Sequence, residues 1–546
     1  RPDEGLVNAA GLPALPFRTE EAPHDWFVDN KDDDLPSEYY TSANTWKESD
    51  VTLINGQLKT HGYENFTGWL GPIGIKTGPF GPNMGVREVM LGSPADGTIF
   101  VGDVIYSANA NMLGEKAWEV MAAAITESET RRGGGKLVLG IRRDGKNLDV
   151  EVGLKVMGSY SSTAPYDCPK SEEIIADLET WVVQKGAGAG FLNADAIFLL
   201  ATGNPELQGY VRRLIYAMIA GKDPSRPMDP AKGGKSWHNS AEAILLGEYF
   251  LATGDRIVLP HLKHACARLA VTQNESGGWR HNFPGGPNYG FIPNAGLPGV
   301  MGMHFAKVAG LDIDLASYEL GVKHFGKDRA ETGYLIYGSG DCERPVPVPF
   351  DPETMATGHM ESYNGGLSSA GILMGLYGNH RAAHMCSLIS AYAWNNTFHG
   401  HGGNFWNNFW TPLGAHQHSK AAFIHFWKNH RWYRESNRMF DGGLIQDAQG
   451  GSGAGPGVAL VAPRRRIQIV GAPPSPFAAD AIEALTPALD AYAKRDYAAC
   501  EERVAELIAA GVVGKTDMPT VEYLGRAARD IQASITADLA RMQQAV

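Results

Sequence analysis

Hydrophobic residues alternate with polar ones along one stretch of this chain and recur at helical spacing along another, and the change of period divides the sequence. From residue 68 to about residue 155, short β-type runs separated by Gly and Pro predict strands, with one helical stretch over about residues 115–126. Beyond about Ser171 the apolar spacing becomes helical and stays so. Two phrases repeat there. Phe198-Leu199-Leu200-Ala201-Thr202-Gly203-Asn204-Pro205 recurs as Tyr249-Phe250-Leu251-Ala252-Thr253-Gly254-Asp255-Arg256, with degenerate copies at 304–311 and 374–379. Each copy ends one amphipathic stretch and precedes another, so each Gly is expected to terminate a helix in the left-handed conformation. A period of roughly fifty to seventy residues per helix pair predicts stacked helical hairpins.

The pattern gives five segments. Residues 1–66 read as a polar, turn-rich arm, with Trp26, Phe27, Tyr39 and Tyr40 available to pack onto a neighbouring domain. Residues 67–156 form the strand-rich module and 171–446 the large helical domain. The Gly/Ala/Pro-rich stretch 447–476 reads as a linker, and 477–546 as a C-terminal segment of two or three amphipathic helices. The fold class expected is therefore multidomain α+β: a small β-sheet module, a large all-α domain and a C-terminal helical segment.

A chain of 546 residues with 43% hydrophobic composition has ample material for more than one core, and no apolar run reaches bilayer-spanning length. The formal charge of −12 argues against non-specific nucleic-acid binding, which needs a basic face. It leaves room for a locally positive cleft. Cys168, Cys266, Cys342, Cys386 and Cys500 are widely spaced and odd in number, with no CxxC, so neither a disulfide scaffold nor a thiolate zinc site is indicated. The start at Arg1 within a Pro/Asp/Glu-rich stretch reads as what remains after signal-peptide removal, which predicts a secreted or periplasmic protein.

The strand-rich module closely resembles a PDZ domain. The residues that carry the resemblance are Val86-Arg87-Glu88-Val89, Gly92-Ser93-Pro94-Ala95, Gly97 and Val101-Gly102-Asp103-Val104-Ile105, with the later strands at 136–141 and 148–152. The resemblance implies a module that receives an extended peptide as an added strand, its carboxylate loop lying near Gly71-Pro72-Ile73-Gly74-Ile75. Pro72 departs from the family, because it removes a backbone N–H from that loop. An intramolecular role, bracing the large domain or narrowing its cleft, stands beside peptide capture.

Fifteen of the seventeen histidines fall between His238 and His430, which directs attention to the helical domain. Its long Gly/Trp/Asn-rich loops resemble those lining the cleft of (α/α) toroid carbohydrate enzymes. Trp237-His238-Asn239, Gly277-Gly278-Trp279-Arg280-His281 and Tyr289 resemble the catalytic set of toroid polysaccharide lyases acting on chondroitin and hyaluronan. Eliminating the weakly acidic C5 proton of a uronate requires its carboxylate to be neutralised, a base to take the proton and an acid to protonate the leaving oxygen. The resemblance implies Asn239 as neutraliser, His281 as base, Tyr289 as base or acid and Arg280 as carboxylate clamp, with His238, Trp279 and Asn294 contacting substrate. His238 and His281 also fit a structural role between helices, and Tyr289 fits a core.

A second constellation, 399–410 followed by His416-Gln417-His418, offers Trp406 and Trp410 as sugar-stacking platforms and Asn404 and Asn407 as hydrogen-bonding groups. Its two His-X-His pairs, His399 with His401 and His416 with His418, could instead donate imidazoles to Zn²⁺ or another divalent ion such as Ca²⁺. Elimination itself requires no cofactor. A third region places Glu361, Tyr363 and Asn364 at the cleft. A glycoside hydrolase on the same fold would need two carboxylates, for which Glu275, Asp341 and Glu361 are available. A terpene-cyclase-like reading fails for want of an acidic cluster, Asp312-Ile313-Asp314 being too sparse. As a whole the chain is similar to secreted bacterial proteins joining a PDZ domain to a toroid, which implies a carbon–oxygen lyase acting on an acidic polysaccharide, ulvan among the candidates. Two alternatives remain: glycoside hydrolysis, and a non-catalytic scaffold in which the PDZ module binds partners.

Overall fold

A computed structural model describes residues 51–54, 57–60, 68–80, 83–186, 193–226, 234–280, 282–283, 292–327, 364–392, 406–445 and 452–544. The N-terminal arm beyond the hairpin of β1 (Val51–Ile54) and β2 (Gln57–Thr60) lies outside the described residues.

The next strands form one antiparallel sheet. In chain order they are β3 (Trp69–Leu70), β4 (Ile75–Phe80), β5 (Asn83–Val89), β6 (Val104–Ala108), β7 (Asn111–Met112), β8 (Lys136–Arg143) and β9 (Lys146–Gly153). The sheet order is β3-β4-β5-β6-β8-β9, with β7 paired to β6. Alternation decides the inner face: Leu137, Leu139 and Ile141 of β8 are buried against Trp118, Met121 and Ile125 of helix α1 (Ala117–Ser128). Asp103 pins the turn before β6. Burial raises its carboxyl pKa, but the bidentate Arg143 pair, at 2.8 and 2.6 Å, and the Phe100 N–H outweigh this and lower it.

Helices follow: α2 (Pro169–Lys185), α3 (Ala194–Thr202), α4 (Pro205–Ile219), α5 (Ser236–Thr253), α6 (Leu259–Thr272), α7 (Pro293–Val308), α8 (Leu315–Val322), α9 (Asn364–Tyr377), α10 (His380–Tyr392), α11 (Asn408–His418) and α12 (Lys420–Ser436). The repeated phrases end helices as their glycines require, Gly203, Gly254, Gly310 and Gly378 having φ of 61, 69, 77 and 90°. Helices α3, α5, α7 and α11 are buried along almost their whole length, whereas α4 and α6 bury one side, and α12 passes from one-sided burial in its first half to full enclosure from Asn429 to Ser436. Close approach explains the small residues of the buried set. A Cβ at Gly302 of α7 would stand 2.4 Å from Ala243 Cβ of α5 and 2.7 Å from the backbone there.

Packing runs in order round these buried helices: α3 on α5, α5 on α7, α7 on α9 and α9 on α11. A short helix, α13 (Val458–Val461), then packs on both α11 and α3, so the succession returns to its start. Residues 452–476 are therefore not a linker, contrary to the sequence expectation. Val458, Leu460, Val461, Ile467, Ile469 and Val470 belong to the main core. Ala454 N donates to Asp195 Oδ1 (2.6 Å), and Gln468 N and Ile469 N donate to buried Glu248, both at 2.7 Å. The Gly, Ala and Pro that read as a linker composition let a short non-repetitive piece fit between helices.

The C-terminal segment consists of α14 (Thr486–Ala493), α15 (Tyr497–Ala510) and α16 (Met518–Gln544), which share a separate small core. Tyr492 and Tyr523 tether it by donating to Thr253 O and Arg466 O. Among the described residues no helix is long and apolar enough to cross a membrane.

The sheet module is docked onto the helical domain by α1 against α12. Trp432 and Tyr433 of α12 complete the module's own core. Beside them lies a buried cluster of two anions and two cations: Lys170 Nζ pairs with Glu129 (2.7 Å) and Glu435 (2.9 Å), and Arg438 pairs with the same two carboxylates (2.6 and 2.5 Å). Tyr160 OH donates to Glu435 at 2.6 Å. Burial disfavours the Glu435 charge, yet Arg438 and Lys170 more than offset it and hold the carboxyl well below its ordinary range.

Candidate functional site

The connections between the helices are of two kinds. At one end of the helices the turns are short, at Gly203-Asn204, Gly254-Asp255, Gly378-Asn379 and Ser419; at the other end the intervening stretches of sequence are long, 220–235, 273–292, 328–363 and 393–407, and lie in large part outside the described residues. The long ones precede α5, α7, α9 and α11, and side-chain contacts bring the starts of these four helices together. Ser240 Oγ of α5 donates to Ala295 O of α7. Trp237 stands edge-on to Trp406 at 6.1 Å. Gly365 N of α9 donates to Asn407 Oδ1 at 2.8 Å. Helix N-termini carry partial positive charge, so four of them on one side favour a negatively charged ligand there.

This side collects residues from all three sequence constellations. The strands β10 (Gly234–Lys235) and β11 (Asn282–Phe283) pair with Lys235 opposite Asn282, which sets the stretch before Asn239 beside the stretch after Arg280. His238 and Arg280 are exposed. Asn239 and Asn294 occupy the first turns of the adjoining α5 and α7, and both are buried, at 2% and 0% exposure. Trp279 is enclosed: its Nε1 donates to Leu269 O at 2.9 Å and its ring stacks on Phe325. Asn364 opens α9. His281, Tyr289, Tyr363, Asn404, His399 and His401 lie outside the described residues, as do Asp341 and Glu361.

Two expectations meet a different geometry. Trp406 and Trp410 are fully buried, tilted against each other at 5.7 Å, and so present no open face for a sugar ring in this conformation. Their size fills the space between helices, and half-buried Trp237 is the member of the group that reaches the surface. His416 and His418, two residues apart on α11, diverge by about 200° round the helix. His416 stacks on Tyr166, while His418 meets His384 of α10 with ring centroids 5.0 Å apart. Burial lowers the pKa of both to about 4, so both are neutral at pH 7. Among the described residues, no group of three or more His, Cys, Asp or Glu side chains is arranged to hold a metal ion.

Sequence reasoning passed over the charged junction cluster, whose two halves, Glu129 with Lys170 and Glu435 with Arg438, lie more than two hundred residues apart, and the His384–His418 contact. The spacing of His380 and His384, one helical turn apart, was the available signal for the latter.

The architecture is that of a mixed protein in which an antiparallel sheet precedes a mostly helical domain. The family described as Domain of unknown function (DUF6288) matches residues 171–471, more than half of the chain, and the chain belongs to that family. The matched span runs from the start of α2 through the segment that closes the succession of helices. No curated protein and no solved structure matches the chain.

Proposed function

We propose that the helical domain is an (α/α) toroid that cleaves a uronate-containing polysaccharide by β-elimination, outside the cytoplasm and without a required metal. The observation that carries this reading is the gathering of the starts of α5, α7, α9 and α11 on the side of the long connections, with Asn239, Arg280, Asn294 and Trp237 among them. An amide and a guanidinium beside positive helix ends suit the neutralisation of a substrate carboxylate, the step that makes the C5 proton removable. His281 and Tyr289 would then exchange the proton. The return of α13 onto α3 supports a closed ring over an open solenoid.

In the same reading the sheet module is a PDZ-like brace. Gly71 N donates to Ser436 O (2.8 Å) and Phe440 N donates to Gly71 O (3.0 Å), so the loop that would receive a peptide carboxylate is engaged by the chain's own segment. Strand β3 already pairs with β4 at Ile75 and Lys76.

Incubation with a panel of uronic-acid polysaccharides, followed by ultraviolet absorbance of the unsaturated product, tests the reading. A rise that disappears in His281→Ala and Tyr289→Phe is expected. New reducing ends without absorbance would replace elimination by hydrolysis, and neither signal across the panel would leave the toroid a binding scaffold.

A further inference from the structure

A cavity of about 460 Å³ lies on the opposite side from the long connections, between α9, α10, the end of α11 and the segment 465–472. Its polar lining is unusual for a chain of net charge −12: His380, His384, Ser387, Gln417, His418 and Arg465 face it, with no aspartate or glutamate among the described lining residues. The histidines are donors or acceptors of hydrogen bonds, and the fixed positive charge is Arg465.

The Arg465 turn is built rather than incidental. Arg465 adopts a left-handed backbone, φ 48° and ψ 54°, which a non-glycine residue holds only where its surroundings impose it. Its Nε donates to Gly471 O and closes the turn. From beneath, Glu248 accepts the N–H groups of Gln468 and Ile469 and fixes the same stretch to α5. The His384 and His418 rings are held tilted against each other, 35° between their planes, by α10 and α11, two helices packed directly together.

A cavity with a preorganised guanidinium, imidazoles, an amide and a hydroxyl, and no carboxylate among its described lining residues, is complementary to a compact anion whose several oxygens accept hydrogen bonds. We propose that this cavity binds a small oxyanion, a carboxylate, phosphate or sulfate, with Arg465 as its counter-charge and His384 and His418 as flanking hydrogen-bond partners. The proposal does not depend on the lyase reading, since this cavity and the long connections lie on opposite sides of the helical domain.

Calorimetric titration of the full chain with sodium phosphate, sodium sulfate and sodium glucuronate, at constant chloride, tests it. At least one of the three is expected to bind at one site per chain, and which one distinguishes a carboxylate from a tetrahedral oxyanion. Arg465→Asn, which keeps a side chain tolerant of the left-handed backbone, should weaken that binding about tenfold or more, the loss of one charge-assisted contact pair. His384→Gln should weaken it less. Arg464→Gln, whose parent pairs with Glu172 outside the cavity, should leave it unchanged. In the unmodified protein, the imidazole nitrogen resonances of His384 and His418 should move during the same titration and stay put with chloride alone, a readout that does not rely on any variant folding. Absence of binding by all three anions, or equal binding by Arg465→Asn, would overturn the proposal.

Discussion

Glu248 shows how a single side chain can set the pH response of this fold. It is fully enclosed, and burial pushes its pKa from 4.5 up to about 8, although the two backbone N–H groups it accepts pull the other way. Between those two values the folded chain keeps a proton that the unfolded chain releases. Glu248 therefore lowers stability as pH rises through that window, by on the order of 1.4 kcal/mol for each unit crossed. Urea unfolding of Glu248→Gln at several pH values should show a flatter decline between about pH 5 and 8 than the parent protein. Identical slopes would mean that the carboxyl is already ionised on its two donors.

At the scale of elements, the close approach of α5 and α7 rests on residues that lack bulk. Alanine is a better helix former than glycine by about 1 kcal/mol, so Gly302→Ala would stabilise an isolated α7. In the packed pair the new methyl would meet the Ala243 backbone, which cannot swing aside. Overpacking of this kind costs about 1–3 kcal/mol, and the net expectation is destabilisation, read as a lowered urea midpoint. A raised midpoint would show that the two helices can separate at little cost. The same balance explains why α7 tolerates Pro298 and three glycines, a composition that propensity alone would refuse as a helix.

For the molecule as a whole, the charged cluster at the junction makes the sheet module and the helical domain one cooperative unit. Removing one partner strands the others: Glu129→Ala leaves Lys170 and Arg438 sharing Glu435 alone in a buried site, a loss of about 3–5 kcal/mol. Calorimetry should show a single unfolding transition for the parent and an earlier, separated transition of the sheet module for Glu129→Ala. Two transitions already present in the parent would mean that the contact is incidental. Glu129→Ala with Arg438→Met should recover part of the loss, because the second change removes the surplus cation.

What could be read in the sequence follows from where the information lies. The period of apolar residues reflects one-sided burial, so strands followed by helices were legible, as were the helix ends at Gly203, Gly254, Gly310 and Gly378, where local geometry demands a residue without a side chain. Of the candidate site, the clustering of Trp237, Asn239 and Arg280 was visible as residue types. Their burial was not: a tryptophan such as Trp406 has the same identity whether it lines a cleft or fills a core.

The sequence by itself determined the order of elements, because hydrophobic period and turn chemistry act over a few residues. Tertiary structure alone decided that residues 452–476 complete the core rather than link two domains, that His416 and His418 part company while His418 meets His384, and that Arg465 lines a cavity with His380, His384 and His418. Each depends on segments far apart in the chain meeting in space, where side-chain shape, desolvation and charge pairing act and no local pattern carries a record of the partner.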